Sequence, residues 1–358
     1  MTIILFLIVL AVLIFVHELG HFISARMCGI RVDEFAIGFG PKLFSIKRGE
    51  TNYALNLIPF GGYVKIFGEN PNSESISGPD SARSFVNKPK WQQIIVLAAG
   101  VLFNFIFAWI LVSIAFTSGV PASIESYPQY EDRMTNSRIT VTYVEPGSPA
   151  EKAGLKAGDT LLEQESVENI QKRINESRGD GFNLKYIRDG IENEIKIIAK
   201  EGIVKDRYAI GIAMDKVATL SLPVHLSLYE GGRFTIRMVG AVAIGIYELI
   251  SGAFQGASSF SSVTGPVGIA GLVKDAAELG IMYLFMFTAL ISINLGVLNL
   301  VPFPALDGGR ILFVFIEAII RRPIKPTIAN SINAIGFGLL LLLMLVVTYK
   351  DIVKIFVR

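Results

Sequence analysis

The sequence predicts a polytopic α-helical membrane protein of about four transmembrane helices, with a membrane-associated β-hairpin region and one inserted soluble α+β domain. Three observations predict it. First, 51% of the 358 residues are hydrophobic, and the mean hydropathy is positive. Second, apolar residues come in long unbroken blocks, not only at the periods of 2 or 3.6 that mark soluble cores. Third, residues 137–218 alone revert to a soluble composition. A net charge of +2 without a basic cluster gives no expectation of nucleic acid as a partner. Cys28 is the only cysteine, which excludes an intramolecular disulfide, a Cys-rich zinc ribbon and an iron–sulfur cluster.

The first helix is expected over residues 1–23. Its opening run MTIILFLIVLAVLIFV has the look of a signal-peptide core, but no Lys or Arg precedes it and Arg26 and Arg31 follow. That charge order belongs to a helix with its N-terminus outside. Residues 24–90 are rich in Gly, Pro and β-formers and read as hairpin strands; their nine Lys/Arg put them on the cytoplasmic side. Residues 91–116 form the second helix. Residues 137–218 show alternating strand patterns (RITVTYV, FNLKYI, NEIKIIA, YAIGIAM) around a short helix near 166–176.

Residues 222–280 include MVGAVAIGIYELISGAF, long enough to tempt a further span. Glu230, Arg233, Arg237, Glu248 and several glycines interrupt it, so an interfacial amphipathic helix is expected. A third helix occupies 281–301, a loop with Arg310, Arg321, Arg322 and Lys325 lies in 302–331, and a fourth helix covers 332–349. Each block is near the roughly 20 residues that span a bilayer. Parity favours four spans, because the C-terminal ends of the first and third then share a side. Residues 17–21 and 307 come to similar depth, whereas a fifth span would put them on opposite faces.

His17-Glu18-Leu19-Gly20-His21 is an HExxH run at the end of an apolar helix, in a chain with only three histidines. Positions i and i+4 share a helix face, so both imidazoles can bind one metal while Glu18 reaches a water beside it. Zinc is expected, since it takes nitrogen ligands tetrahedrally and has no redox chemistry. Ionisable residues within a spanning helix are costly and usually functional. A catalytic zinc needs three protein ligands and an open position. The candidate third ligand is Asp307 in Asn299-Leu-Val-Pro-Phe-Pro-Ala-Leu-Asp307-Gly-Gly-Arg310. Pro302 and Pro304 break the helix there, and irregular chain at membrane depth is tolerated where it lines a cavity. The competing reading makes Asp307 an N-cap for residues 310–320. The missing ligand and the parity of the spans favour the metal.

The contiguous run PGSPAEKAGLKAGDTL at 146–161 resembles a PDZ domain, so 137–218 is identified as one inserted PDZ domain. The chain as a whole resembles the site-2 proteases, intramembrane zinc metalloproteases. The resemblance rests on HELGHFxxAR at 17–26, GFGP at 38–41, PxGGYVK at 59–65, GPVGIA at 265–270 and NxxPxPxLDGG at 299–309, and it covers nearly the full chain. In organisation the chain is most similar to bacterial regulator-of-sigma-E proteases, with one PDZ domain where those carry two. Val101 and Phe60 stand where family members often have Pro and Leu.

The resemblance implies a zinc endopeptidase of the bacterial cytoplasmic membrane, with Zn2+ on His17, His21 and Asp307 and Glu18 as the base. It implies substrates that are single-span membrane proteins such as anti-sigma factors, cut in the lipid bilayer. The hairpin at Gly61, Gly62 and Tyr63 is expected to pair with an unwound substrate strand, and Asn299 to anchor the substrate backbone. For Asn299 an ordinary contact between helices is the alternative. By parity the PDZ domain lies on the outer side, as a size filter or as a docking module. A membrane scaffold with a vestigial site and a zinc transporter or sensor are the other classes considered; a Glu beside the ligands favours hydrolysis over transport.

Overall fold

The structure, a computed structural model, describes residues 2–71, 73–162, 166–188, 190–204, 207–254 and 264–356. Residues 255–263 of the expected 222–280 region, and 163–165, 189 and 205–206 of the inserted domain, lie outside the described residues. The chain divides into two compact units, residues 1–115 with 224–358, and residues 116–223.

In the first unit, α1 (Thr2–Met27) continues four residues past the expected end. At 1.5 Å per residue its 26 residues reach about 39 Å, beyond a hydrocarbon core of about 30 Å. β1 (Val32–Arg48) and β2 (Thr51–Ile66) form an antiparallel hairpin in which β1 pairs twice: Phe35 lies opposite both Tyr53 and Val64. The end of β2, residues 62–66, thus forms an outer edge with β1 on one side and no strand on the other among the described residues. α2 (Ser73–Ser77) and short 3-10 turns lead into α3 (Lys90–Ser118).

The second unit is antiparallel. Strands β3 (Val120–Ser123), β4 (Met134–Val144), β5 (Thr160–Leu161), β6 (Phe182–Arg188), β7 (Ile191–Ile197) and β10 (Ile212–Leu220) make one sheet in the order β3-β10-β4-β5-β6-β7. α4 (Pro149–Lys152) and α5 (Val167–Glu176) complete it, with a hairpin of β8 (Lys200–Val204) and β9 (Arg207–Ala209). Its core joins Val141, Leu155, Ile170, Leu184, Ile197 and Ile210. The GSPAEKAGLKAGD run has a local cause here. Ser148 caps α4 by accepting the Glu151 N–H, Pro149 starts the helix, and buried Asp159 takes a bidentate pair from Arg188 at 2.7 and 2.6 Å. The unit begins at residue 116 because β3 pairs with β10, which extends it upstream of the expected 137.

The first unit resumes with α6 (Val224–Phe254), α7 (Pro266–Leu279), α8 (Ile281–Leu300), α9 (Asp307–Ile320) and α10 (Pro326–Phe356). Five helices among the described residues, α1, α3, α6, α8 and α10, are long and apolar enough to cross a membrane. The sequence reading has about four; the additional one is α6, where an interfacial helix is expected. Glu230, Arg233 and Arg237 fall in its first half, leaving only Glu248 toward its end, and it is the least apolar of the five.

Side-chain pairings fix helix directions. His21 meets Val96 and His17 meets Asn104, so α3 runs antiparallel to α1. Leu284 joins a cluster with Val9 and Leu13, while Asn299 lines a cavity with Ile14 and Glu18, so α8 runs parallel to α1.

Candidate metal centre

α1 carries His17 and His21 one turn apart, and their rings meet edge to face with centroids 4.9 Å apart. Both are buried, at 9% and 7% exposure, in a helix whose preceding residues 3–16 are all apolar. The third group arrives from the far end of the chain. After α8, residues 301–306 are irregular, as Pro302 and Pro304 require. The N-cap of α9 is Leu306, without a side-chain capping bond, and Asp307 is the first residue of the helix. The capping alternative is thereby removed, and the carboxylate is turned to the imidazoles. The two glycines that follow are needed for close approach: a β-carbon at Gly308 would stand 2.3 Å from the Leu300 carbonyl oxygen, and one at Gly309 2.2 Å from that of Phe303.

Asp307 Oδ2 lies 3.1 Å from His17 Nε2 and 3.3 Å from His21 Nε2, and the two nitrogens are 3.3 Å apart. This near-equilateral triangle matches the edge of about 3.3 Å expected for a tetrahedron with metal–ligand bonds of about 2.0–2.1 Å. Asp307 Oδ2 is a buried atom with no hydrogen-bond partner among the described residues. Three lone-pair atoms converging on one point in a dry site repel one another unless a cation lies between them, so the residues fit a divalent metal with nitrogen and oxygen ligands.

Glu18 faces the outer edge of β2 and lines one cavity with Gly62, Tyr63 and Val64. A β-carbon at Gly62 would stand 3.4 Å from Glu18 Cγ and 3.0 Å from Ile14 Cγ2, so the bare backbone at 62 lets the strand lie against α1. A cavity of about 530 Å3 holds His17, Glu18, His21 and Asp307 together with Tyr63, Glu69 and Arg310; the last two form an ion pair. A smaller cavity of about 270 Å3 joins Glu18 and Asp307 to Gly61, Gly62 and Asn299.

The candidate site residues His17, Glu18, His21, Gly61, Gly62, Tyr63, Asn299 and Asp307 thus all line one or both of these cavities. Tyr63 differs in role from Gly61 and Gly62: its hydroxyl donates to Glu34 at 2.9 Å and its ring stacks on Phe39, so the side chain braces the hairpin. Sequence reasoning predicted α3 as a span but missed its part in the site. The Val96 carbonyl accepts from His21 Nδ1 at 2.8 Å, and Asn104 lies 3.1 Å from His17 Nδ1. A polar residue inside an apolar helix was the available signal for Asn104; a backbone carbonyl leaves none.

The model of peptidase family M50 matches residues 5–343. A protein of Clostridium perfringens (strain 13 / Type A), named as a proposed zinc metalloprotease, is 36% identical over 362 residues, covering 99% of each chain. A similarly named protein of Clostridium acetobutylicum is 33% identical, over 96% of this chain and 94% of its own. The regulator of sigma-W protease RasP of Bacillus subtilis (strain 168) is 31% identical over 436 residues, with 99% of each chain covered. The site-2 protease resemblance read from the motifs is borne out by these matches along the whole length, and the chain belongs to peptidase family M50.

Proposed function

We propose that this metalloprotease is an intramembrane zinc endopeptidase that hydrolyses peptide bonds in the spanning segments of single-span membrane proteins. The observation that carries the reading is the triangle of His17 Nε2, His21 Nε2 and Asp307 Oδ2 beside the Glu18 carboxylate. Zinc held by these three residues would supply Lewis acidity and lower the pKa of water toward neutrality. Glu18 accepts the proton of that water and returns it to the leaving amine. A peptide bond inside a helix is shielded by its own turn, so the substrate must unwind; the free edge at Gly61–Tyr63 offers it a strand to pair with. Asn299, which lines the smaller cavity with Gly61 and Gly62, anchors the extended backbone.

Four spans, α1, α3, α8 and α10, are the topology we favour. The parallel course of α1 and α8 supports it, because one crossing by α3 separates them; a full crossing by α6 would need a further return, and α7, with 14 residues, reaches only about 21 Å. The basic loops then face the cytoplasm and the PDZ-like unit the outer side of a bacterial cytoplasmic membrane. The likeness to a regulator of sigma-W protease favours anti-sigma factors or similar regulators as substrates. The test is reconstitution of the purified chain in lipid with such substrates: cleavage within the spanning segment that stops on chelation and returns with zinc is expected. Metal-independent cleavage, or none of any spanning segment, would overturn the reading.

A further inference from the structure

Asn104 lies at the middle of α3, wholly buried, with one end of its amide 3.1 Å from Nδ1 of His17. Its Oδ1 is buried as well and has no hydrogen-bond partner among the described residues. A half-turn of the amide exchanges Oδ1 and Nδ2 without altering the space it fills. Which atom faces His17 follows from what that ring must do.

An imidazole that offers Nε2 to a metal carries its proton on Nδ1, and it is held in that form by an acceptor at Nδ1. His21 has such an acceptor in the Val96 carbonyl at 2.8 Å. Among the described residues His17 has only Asn104 at Nδ1. An Nδ2 turned to the ring would set one donor against another once Nε2 is coordinated, and would leave Oδ1 buried and unsatisfied.

Two further features say that this face of α3 is built for the site. Val96, Gly100 and Asn104 recur every four residues, on one side of the helix. At Gly100 the bare backbone passes directly beneath the rings: a β-carbon there would stand 2.4 Å from His21 Nε2 and 2.8 Å from Cε1 of both histidines. The Ser292 hydroxyl of α8 donates to the Asn104 carbonyl at 2.8 Å, which fixes α3 at that turn.

We infer that Asn104 is a positioning residue for the metal site, its Oδ1 accepting the His17 Nδ1 proton so that Nε2 faces the metal. This rests on the zinc-site reading of His17, His21 and Asp307. α3 then supplies the outer support of both histidines, by a backbone carbonyl for one and a side-chain carbonyl for the other.

The experiment measures zinc affinity of the full chain in detergent by competition with a chromophoric chelator, independently of proteolysis. Asn104→Leu, similar in size but without an acceptor, should bind zinc 10- to 100-fold more weakly. Asn104→Asp, which can only accept, should bind at least as tightly as the parent. A donor role for the amide predicts the reverse, a loss in the Asp variant as large as in the Leu variant, and that outcome overturns the proposal, as do equal affinities in all three proteins. Thermal unfolding of the metal-free proteins separates loss of fold from loss of metal. Should the Leu variant not fold, 15N NMR of the parent decides, since the chain has only three histidines: the Nδ1–H tautomer of zinc-loaded His17 supports the inference and the Nε2–H tautomer overturns it. A parent chain that holds no zinc overturns the metal reading itself, and shows this before any variant is compared.

Discussion

The Gly62 backbone packs against Glu18, with a β-carbon built there only 3.4 Å from Glu18 Cγ, tying the proposed proton acceptor to the strand edge proposed to receive the substrate. The tie joins an apolar helix to a hairpin that contributes no metal ligand. A substrate strand added at this edge would lie beside the carboxylate, and Gly62 keeps the intervening space free of a side chain. Chemistry and recognition are therefore coupled through one backbone contact.

Glu18→Gln should keep the fold and full zinc content while lowering turnover by about 100- to 10,000-fold, the usual contribution of a general base. Metal analysis and single-turnover cleavage of a reconstituted substrate measure the two quantities. Cleavage at the parent rate would remove Glu18 from the mechanism.

Asp307→Ala should lower metal content and activity together, because it removes one of three converging donors rather than the base. Zinc titration checks it. Full occupancy in the variant would assign the third ligand elsewhere.

Gly309→Ala should destabilise the start of α9, since its new β-carbon meets the Phe303 carbonyl oxygen at 2.2 Å with backbone on both sides. A cost of about 1–3 kcal/mol is expected for overpacking of this kind. A lowered unfolding temperature accompanied by weaker zinc binding would bear this out; unchanged values for both would show that the 303–309 turn gives way freely.

Ala305 holds a left-handed backbone at φ +75°, with its N–H donating to Asn333 Oδ1 at 3.2 Å. Ala305→Gly should therefore stabilise the folded chain, or at worst leave it unchanged, because about 1 kcal/mol of relieved strain is set against the greater freedom of glycine when unfolded. Chemical unfolding in detergent reads the sign. A clear loss of stability would mean that the methyl group packs to more effect than the strain costs.

Deleting residues 137–218 tests the inserted domain. As a size filter it discriminates without specific contacts, so the deletion should permit cleavage of an untrimmed substrate and leave a trimmed one cut at a similar rate. Loss of both activities, in a variant that stays folded and zinc-loaded, would instead favour a docking role.

The sequence by itself determined the chemistry and the order of the elements. HExxH at helical spacing needs only local geometry to bring two imidazoles together, and long apolar blocks need only a bilayer to become helices. The run at 146–161 likewise carries its own cap, turn and buried carboxylate. What only the tertiary structure decided lies between elements distant in sequence. Taken alone Asp307 reads almost equally as a helix cap, and only the missing third ligand and the parity of the spans favour the metal; that Leu306 holds the cap and the carboxylate meets His17 and His21 is visible only in the fold. The double pairing of β1, which leaves 62–66 as the edge beside Glu18, depends on strand register rather than on composition. That residues 224–254 run as one unbroken helix, with three of its four charged residues in the first half, is likewise visible only in the fold. The support given by α3 was hidden for the plainest reason: a carbonyl at Val96 and an absent side chain at Gly100 act through backbone and empty space, which residue identity does not record.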